Sequence, residues 1–148
     1  MSVLTIPGSK ATVADLTYLR ETGLADAVTS LVHAGTPVIG LCGGYQMLGR
    51  RILDPLGVES AESITRGLGV LPIDTVMAAE KTTEVRSATT RGGVSFAAYE
   101  IHMGMTTIDE GVEPFARLDD GRADGACVGR VIGTYLHGAL ENAAVCSE

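Results

Sequence analysis

The segment Pro37-Val-Ile-Gly-Leu-Cys42-Gly-Gly-Tyr-Gln-Met47 constrains this chain more than any other stretch. Val38 to Leu41 is a short apolar run and predicts a strand, and the residues after Gly43 predict a helix. Cys42 occupies the turn between them. A strand–turn–helix junction of this kind lifts one side chain above the end of a sheet. Gly40 and Gly43 omit side chains where a Cβ would crowd such a turn. The start of the helix places partial positive charge near the sulfur, which favours the reactive thiolate. It also offers the backbone N–H of Gly43 to an oxyanion. A lone cysteine is more often a small buried core residue, but glycines on both sides of it at a strand end point to a nucleophile.

The neighbouring pattern supplies a sheet for that turn. Val3 to Ile6 is a second short apolar strand, ending in Pro7-Gly8-Ser9-Lys10. Thr12 and Asp15 bracket a capping-box-like helix start. Leu16, Leu19, Leu24 and Val28 form an apolar stripe that Gly23 divides, so one helix ends there and another runs over Ala25–Ala34. After Cys42 a helix is expected from about Gly44 to Arg51, with Asp54-Pro55 and Gly57 breaking it. This β-α-β-α order with continuously apolar strands predicts a parallel sheet covered on both faces. Further on, Gly67–Pro72, Thr82–Thr90 and Val94–Met103 read as extended, with a turn at Gly92-Gly93 and antiparallel pairing at a sheet edge or in a side sheet. Ala126 to Leu136 predicts a last hairpin or strand, after a polar turn at Gly121–Gly125.

Length and charge narrow the function classes. The chain has 148 residues, enough for one domain with a core. Its net charge of −7 argues against nucleic acid, whose phosphates need a basic face. No apolar run approaches a membrane span of ~20 residues, and no signal peptide is visible. The three cysteines, Cys42, Cys127 and Cys146, form no CxxC pair, which suggests neither zinc nor a disulfide scaffold. A reducing cytoplasm fits.

A thiol nucleophile needs a general base, usually histidine. Of the three histidines, His33 falls near a helix C-terminus and reads as a surface residue. His137 follows an apolar segment and precedes Gly138. Parallel sheets place their sites beyond strand C-termini, so His137 is well placed to meet Cys42. His102 lies in Tyr99-Glu100-Ile101-His102-Met103-Gly104. Strand alternation puts Glu100 and His102 on one face. A hydrogen-bonded polar pair facing a substrate and a merely solvated face both fit that spacing.

These residues, with two further motifs, carry a resemblance. Gly-Leu-Cys42-Gly-Gly-Tyr-Gln looks like the nucleophile motif of class I (triad-type) glutamine amidotransferases. Leu-Thr-Ile-Pro7-Gly8-Ser9-Lys10-Ala-Thr12-Val-Ala-Asp15-Leu16, Arg66-Gly67-Leu68-Gly69-Val70-Leu71-Pro72, Tyr99–Gly104 and Gly133-Thr-Tyr-Leu-His137-Gly138 resemble the C-terminal domain of the cobyric acid synthase family, in that family's order. The resemblance implies a flavodoxin-like α/β fold, a mostly parallel sheet with helices on both faces, here truncated at its N-terminus. It implies a single amidotransferase-like domain over residues 1–148 that is a fragment of a longer enzyme. In the family, glutamine and ATP convert peripheral carboxylates of adenosylcobyrinic acid a,c-diamide to amides.

Carried over by motif, Cys42 would attack the glutamine amide carbon and His137 would move the protons. The N–H groups of Gly43 and Gly8 would form the oxyanion hole. Tyr99, Glu100 and His102 are candidates for substrate binding or for orienting the base. Expected partners are glutamine and, through a synthetase domain, a corrinoid. No metal or cofactor is expected in this domain; ATP and Mg²⁺ would belong to the synthetase domain, since the chain has no GxxxxGK[ST] loop. Many triad amidotransferases carry His-x-Glu, where the Glu orients the imidazole. This chain has His137-Gly138-Ala139, as its resembling branch also lacks that Glu, so Glu100 stands as the candidate orienter. Two other functions compete: a non-catalytic module that docks a synthetase partner or a corrinoid, and a stand-alone cysteine hydrolase, which would need a complete sheet and usually a carboxylate orienter.

Overall fold

A computed structural model describes residues 2–147. The first strand, β1 (Leu4–Ile6), leads through a loop into α1 (Thr12–Glu21) and α2 (Leu24–His33). Then come β2 (Val38–Leu41), α3 (Gly43–Leu48), β3 (Arg51–Leu53) and β4 (Ile64–Arg66). A long hairpin follows, β5 (Ile73–Thr90) and β6 (Ser95–Ile108). Five short strands follow, β7 (Ala116–Leu118), β8 (Ala123–Asp124), β9 (Ala126–Val128), β10 (Val131–Thr134) and β11 (Leu136–His137), and then two 3-10 turns at Ala139–Glu141 and Val145–Ser147. No helix among the described residues is long and apolar enough to cross a membrane.

The architecture is α/β, with two mixed sheets and few helices. In the smaller sheet, ordered β1-β2-β10-β9, the first three strands are parallel and only β9 runs the other way. This is the parallel core expected from the apolar runs. The two faces of β2 differ, however. Val38 and Gly40 are buried, whereas Ile39 and Leu41 are half-buried. The glycines explain the buried face. A Cβ at Gly40 would stand 2.8 Å from the carbonyl oxygen of Gly44, and one at Gly133 would stand 1.9 Å from the Tyr45 ring. Helix α3 thus lies directly on backbone. The larger sheet runs β11-β6-β5-β3-β4 and is mostly antiparallel, with β7 and β8 attached to the far end of β5.

Several local expectations change under packing. Thr12 does not cap α1; it is buried, and Oγ1 would meet a Cβ at Gly43 within 2.9 Å. Ser9 hydrogen-bonds Asp15 instead, and Glu59 accepts the N–H of Val13 at 3.3 Å. Gly23 and Gly35 do end α1 and α2, both at positive φ. Helix α3 stops at Leu48, short of Arg51, because Gly49 is extended and Arg51–Leu53 pairs with β5. Gly67–Pro72 is not a strand. Its N–H groups from Gly67 to Leu71 donate to the carbonyls of residues 47–50, satisfying acceptors that the end of α3 leaves free.

The β5–β6 hairpin turns at Gly92-Gly93, as the sequence predicts, and is antiparallel throughout. Its register shifts between Val76 and Lys81, where Gly104 on the opposite strand takes φ +101°. One apolar cluster joins Leu16, Val38, Tyr45, Leu48, Ile52, Leu71 and Ile73 beneath the small sheet and α3. A second, around Phe96, Leu118 and Leu136, lies under the outer half of the hairpin.

Candidate active site

Parallel pairing brings three strand ends to one place. β1 ends at Ile6, β2 at Leu41 and β10 at Thr134, so Pro7-Gly8-Ser9, Cys42 and the segment leading to His137 emerge at the same edge. Cys42 has φ +50° and is the only non-glycine at positive φ among the described residues. Such strain persists only where the surroundings fix it. Here the N–H of Cys42 donates to the carbonyl of Thr134 at 2.9 Å, and its own carbonyl accepts the N–H of Gln46 at 3.0 Å. The sulfur lies 2.7 Å from Nε2 of His137.

The surroundings of the sulfur oppose the thiolate that the helix start favours. Burial, with a smaller push from the charge of Asp124, raises the Cys42 thiol to about 12. The carbonyls of Ile101 and Tyr135 both lie 3.6 Å from the sulfur and present negative ends to it. The six-residue α3 does not offset this. These surroundings favour the thiol over the thiolate, so a base must take its proton.

A cavity of about 480 Å³ opens above the sulfur. Gly8, Cys42, Gly43, His102 and His137 line it together with Lys10, Gln46, Glu59 and Lys81. A Cβ at Gly8 would lie 3.5 Å from that of Cys42 and 3.8 Å from Cε1 of His137, so the loop after β1 closes over the Cys–His pair. The N–H groups of Gly43, Gly44 and Tyr45 precede the first intrahelical bond, which Gln46 donates.

The structure brings Cys42, His137, Gly8, Gly43 and His102 to one cavity, whose lining includes neither Tyr99 nor Glu100. Tyr99 is 55% exposed and lines no part of the cavity. Glu100 is buried, and its Oε1 lies 3.0 Å from Nε2 of His102. Its Oε2 is 3.6 Å from Arg122. Glu100 thus pairs with His102, as strand alternation allows, and not with His137. No carboxylate among the described residues hydrogen-bonds His137.

His102 is held on both sides. Nδ1 donates to the carbonyl of Gly104 at 2.8 Å, and the ring stacks on Tyr135 at 3.9 Å. Both ring nitrogens therefore face acceptors. The hydroxyl of Tyr135 accepts a hydrogen bond from Nε2 of Gln46 at 3.1 Å, and that same nitrogen donates to the carbonyl of Met103 at 2.9 Å.

Sequence reasoning missed several residues here. Glu59 and Lys81 lie in segments with no motif, and only the folded chain carries them to the cavity. Asp124 is buried at the end of β8, where it accepts the hydroxyl of Thr134 and, at 3.4 Å, the N–H of Tyr135. Burial pushes its carboxyl up to about 6. Thr134 stood in a quoted motif, but nothing there pointed to a carboxylate partner.

Known proteins resemble this chain in sequence and in fold. A family model described as a CobB/CobQ-like glutamine amidotransferase domain matches residues 1–145. Cobyric acid synthase of Sphingopyxis alaskensis is 46% identical over 149 residues, which cover 99% of this chain and 30% of that protein. Cobyric acid synthase of Azorhizobium caulinodans is 47% identical over 133 residues, covering 88% and 27%. The chain thus spans about 30% of the length of the curated relatives it matches. A solved structure of a glutamine amidotransferase superposes with TM-score 0.71 at 25% identity, covering 98% of this chain and 75% of the other. PurLQS from Thermotoga maritima gives TM-score 0.66 at 13% identity, covering 97% and 72%, a likeness of fold.

Proposed function

We propose, on the premise that this chain belongs to the CobB/CobQ-like glutamine amidotransferase family, that it releases ammonia from glutamine for a corrinoid-amidating synthetase. The contact between Cys42 and His137, 2.7 Å across the floor of a cavity, carries the reading. Nε2 of His137 takes the thiol proton while the sulfur adds to the amide carbon of glutamine. The amide oxygen becomes an oxyanion, for which the N–H groups of Gly43 and Gly8 are the donors in this reading. The protonated His137 then gives its proton to the departing nitrogen, the C–N bond breaks, and ammonia leaves a thioester. Water, deprotonated by His137, adds to the thioester; the C–S bond breaks, and glutamate departs as the thiol re-forms. Each oxyanion donor of this type is worth on the order of 10²–10³ in rate.

The identity with cobyric acid synthases supports the corrinoid end of the proposal, with ATP and Mg²⁺ acting in a synthetase domain and not in this one. The test is mass spectrometry after exposure to diazo-oxo-norleucine, a glutamine analogue that alkylates such cysteines. A stoichiometric adduct on Cys42, absent in Cys42→Ser and slowed in His137→Ala, is expected. A folded chain that takes up no adduct would leave the docking module as the better reading.

A further inference from the structure

The chain crosses between the two sheets twice near the active site. It passes from β8 to β9 of the smaller sheet at Gly125, and from β10 to β11 of the larger sheet at Tyr135. Asp124, a buried carboxylate with no part in the thiol chemistry, ties the two crossings together. Its Oδ2 accepts the hydroxyl of Thr134, and its Oδ1 accepts the N–H of Tyr135 at 3.4 Å. The same Thr134 oxygen accepts the N–H of Leu136 at 3.0 Å. Two successive N–H groups of the second crossing thus end on side chains instead of on a neighbouring strand. The two crossings lie close: a Cβ at Gly125 would stand 2.3 Å from the carbonyl oxygen of Gly133. Tyr135 itself touches the site, with its ring stacked on His102 at 3.9 Å and its carbonyl 3.6 Å from the sulfur. His137 stands two residues further on.

We propose that Asp124 is a positioning residue for the base: through Thr134 and Tyr135 it fixes the crossing that carries His137, and with it the 2.7 Å approach of His137 to Cys42. This rests on the glutaminase reading for the reaction that the pair performs. β11 is two residues long and pairs with β6 through Leu136 and His137 alone. So short a strand leaves the crossing before it to be held by other means, and the carboxylate supplies the acceptors. Misplacing a reacting group by about 1 Å can cost about 10²-fold in rate. Asp124 also has an opposite influence, because its charge disfavours the thiolate of Cys42. The carboxylate therefore helps the pair through geometry and hinders it through charge, and substitution separates the two.

The test times alkylation of Cys42 in the full chain by iodoacetamide, which needs no glutamine site, with mass spectrometry as the readout. Thr134→Val removes the tie and keeps the charge. Asp124→Asn removes the charge and one of the two acceptors. Each is made with His137 in place and in the His137→Ala background. With His137 present, both should slow labelling of Cys42 about tenfold or more, whereas Thr134→Ser, which keeps the hydroxyl, should label like the parent. In His137→Ala, Thr134→Val should change nothing further and Asp124→Asn should speed labelling, since only the charge effect is left. Cys127 of β9, which pairs with Ile132 of β10, reports any general loosening of the smaller sheet and should label as in the parent. Slowing that persists without His137, no slowing with it, or faster labelling of Cys42 by Asp124→Asn in both backgrounds would overturn the assignment. So would a rise in Cys127 labelling that accompanies the slowing of Cys42. If one variant does not fold, the other decides. If His137→Ala labels as fast as the parent, the base role fails, and the glutaminase reading fails with it.

Discussion

The N–H of Cys42 donates to the carbonyl of Thr134 at 2.9 Å, joining the nucleophile's turn to the strand that leads to its base. The bond continues the parallel ladder in which Leu41 faces Thr134. Three residues after Thr134, His137 pairs with Tyr99 in the second sheet. The Cys–His distance is therefore set by the registers of two sheets. The hydroxyl of Thr134 adds to this by accepting the N–H of Leu136 at 3.0 Å while donating to Asp124.

His137→Ala should slow release of ammonia from glutamine by about 10²–10⁴, the range for loss of a general base. Because burial keeps the Cys42 thiol near 12, the variant should also lose alkylation by diazo-oxo-norleucine at neutral pH. It should regain part of it as pH rises. Alkylation rate against pH, followed by mass spectrometry, checks this.

Asp124→Asn should change the pH dependence of stability. A carboxyl raised from 3.8 to about 6 binds its proton more tightly in the folded state. Stability thus falls as pH rises through that window, by at most about 3 kcal/mol. The variant lacks this titration. Its stability relative to the parent should climb between roughly pH 4 and pH 6 and be level outside that window. Urea unfolding at several pH values reads the difference directly.

Gly133→Ala should destabilise strongly. Its Cβ would lie 1.9 Å from the ring of Tyr45, which is itself buried and packed edge-on against Tyr135 at 5.0 Å. Overpacking of this kind costs about 1–3 kcal/mol, and the shift would disturb the seat of α3. Gly121→Ala, where nothing lies within 4 Å, is the control; its positive φ of 86° costs only backbone strain. Thermal melts of the two variants should rank in that order.

The Glu100–His102 pair should behave as one unit. Their side chains are 8% and 10% exposed. Removing one partner leaves the other's buried polar atom unpaired, which costs about 1–3 kcal/mol. Glu100→Ala and His102→Ala should each lower the melting temperature, and the double variant should be less destabilised than their sum. Additive losses would show that the two side chains do not stabilise one another.

The turn at Cys42 was legible because its demands are local. A strand, a cysteine and glycines whose absent side chains make room for α3 are all adjacent in the chain. The pairing of Glu100 with His102 was legible too, since alternation alone puts residues two apart on one face. The extent of α3 was not, because its end depends on the loop at Gly67–Pro72 donating N–H groups from a distant part of the chain. Thr12 as a cap failed for a similar reason: its hydroxyl lies against Gly43, a contact between two elements.

The sequence by itself determined that a cysteine would stand at the end of a strand and before a helix, and that one histidine would follow another strand end. Short-range sterics and strand periodicity act between neighbours and are written in their order. Only the tertiary structure decided that the sulfur is buried 2.7 Å from His137, that Glu100 pairs with His102 instead, and that Glu59 and Lys81 line the same cavity. Burial, charge and register between segments far apart in the chain have no local signature, and those set the chemistry of this site.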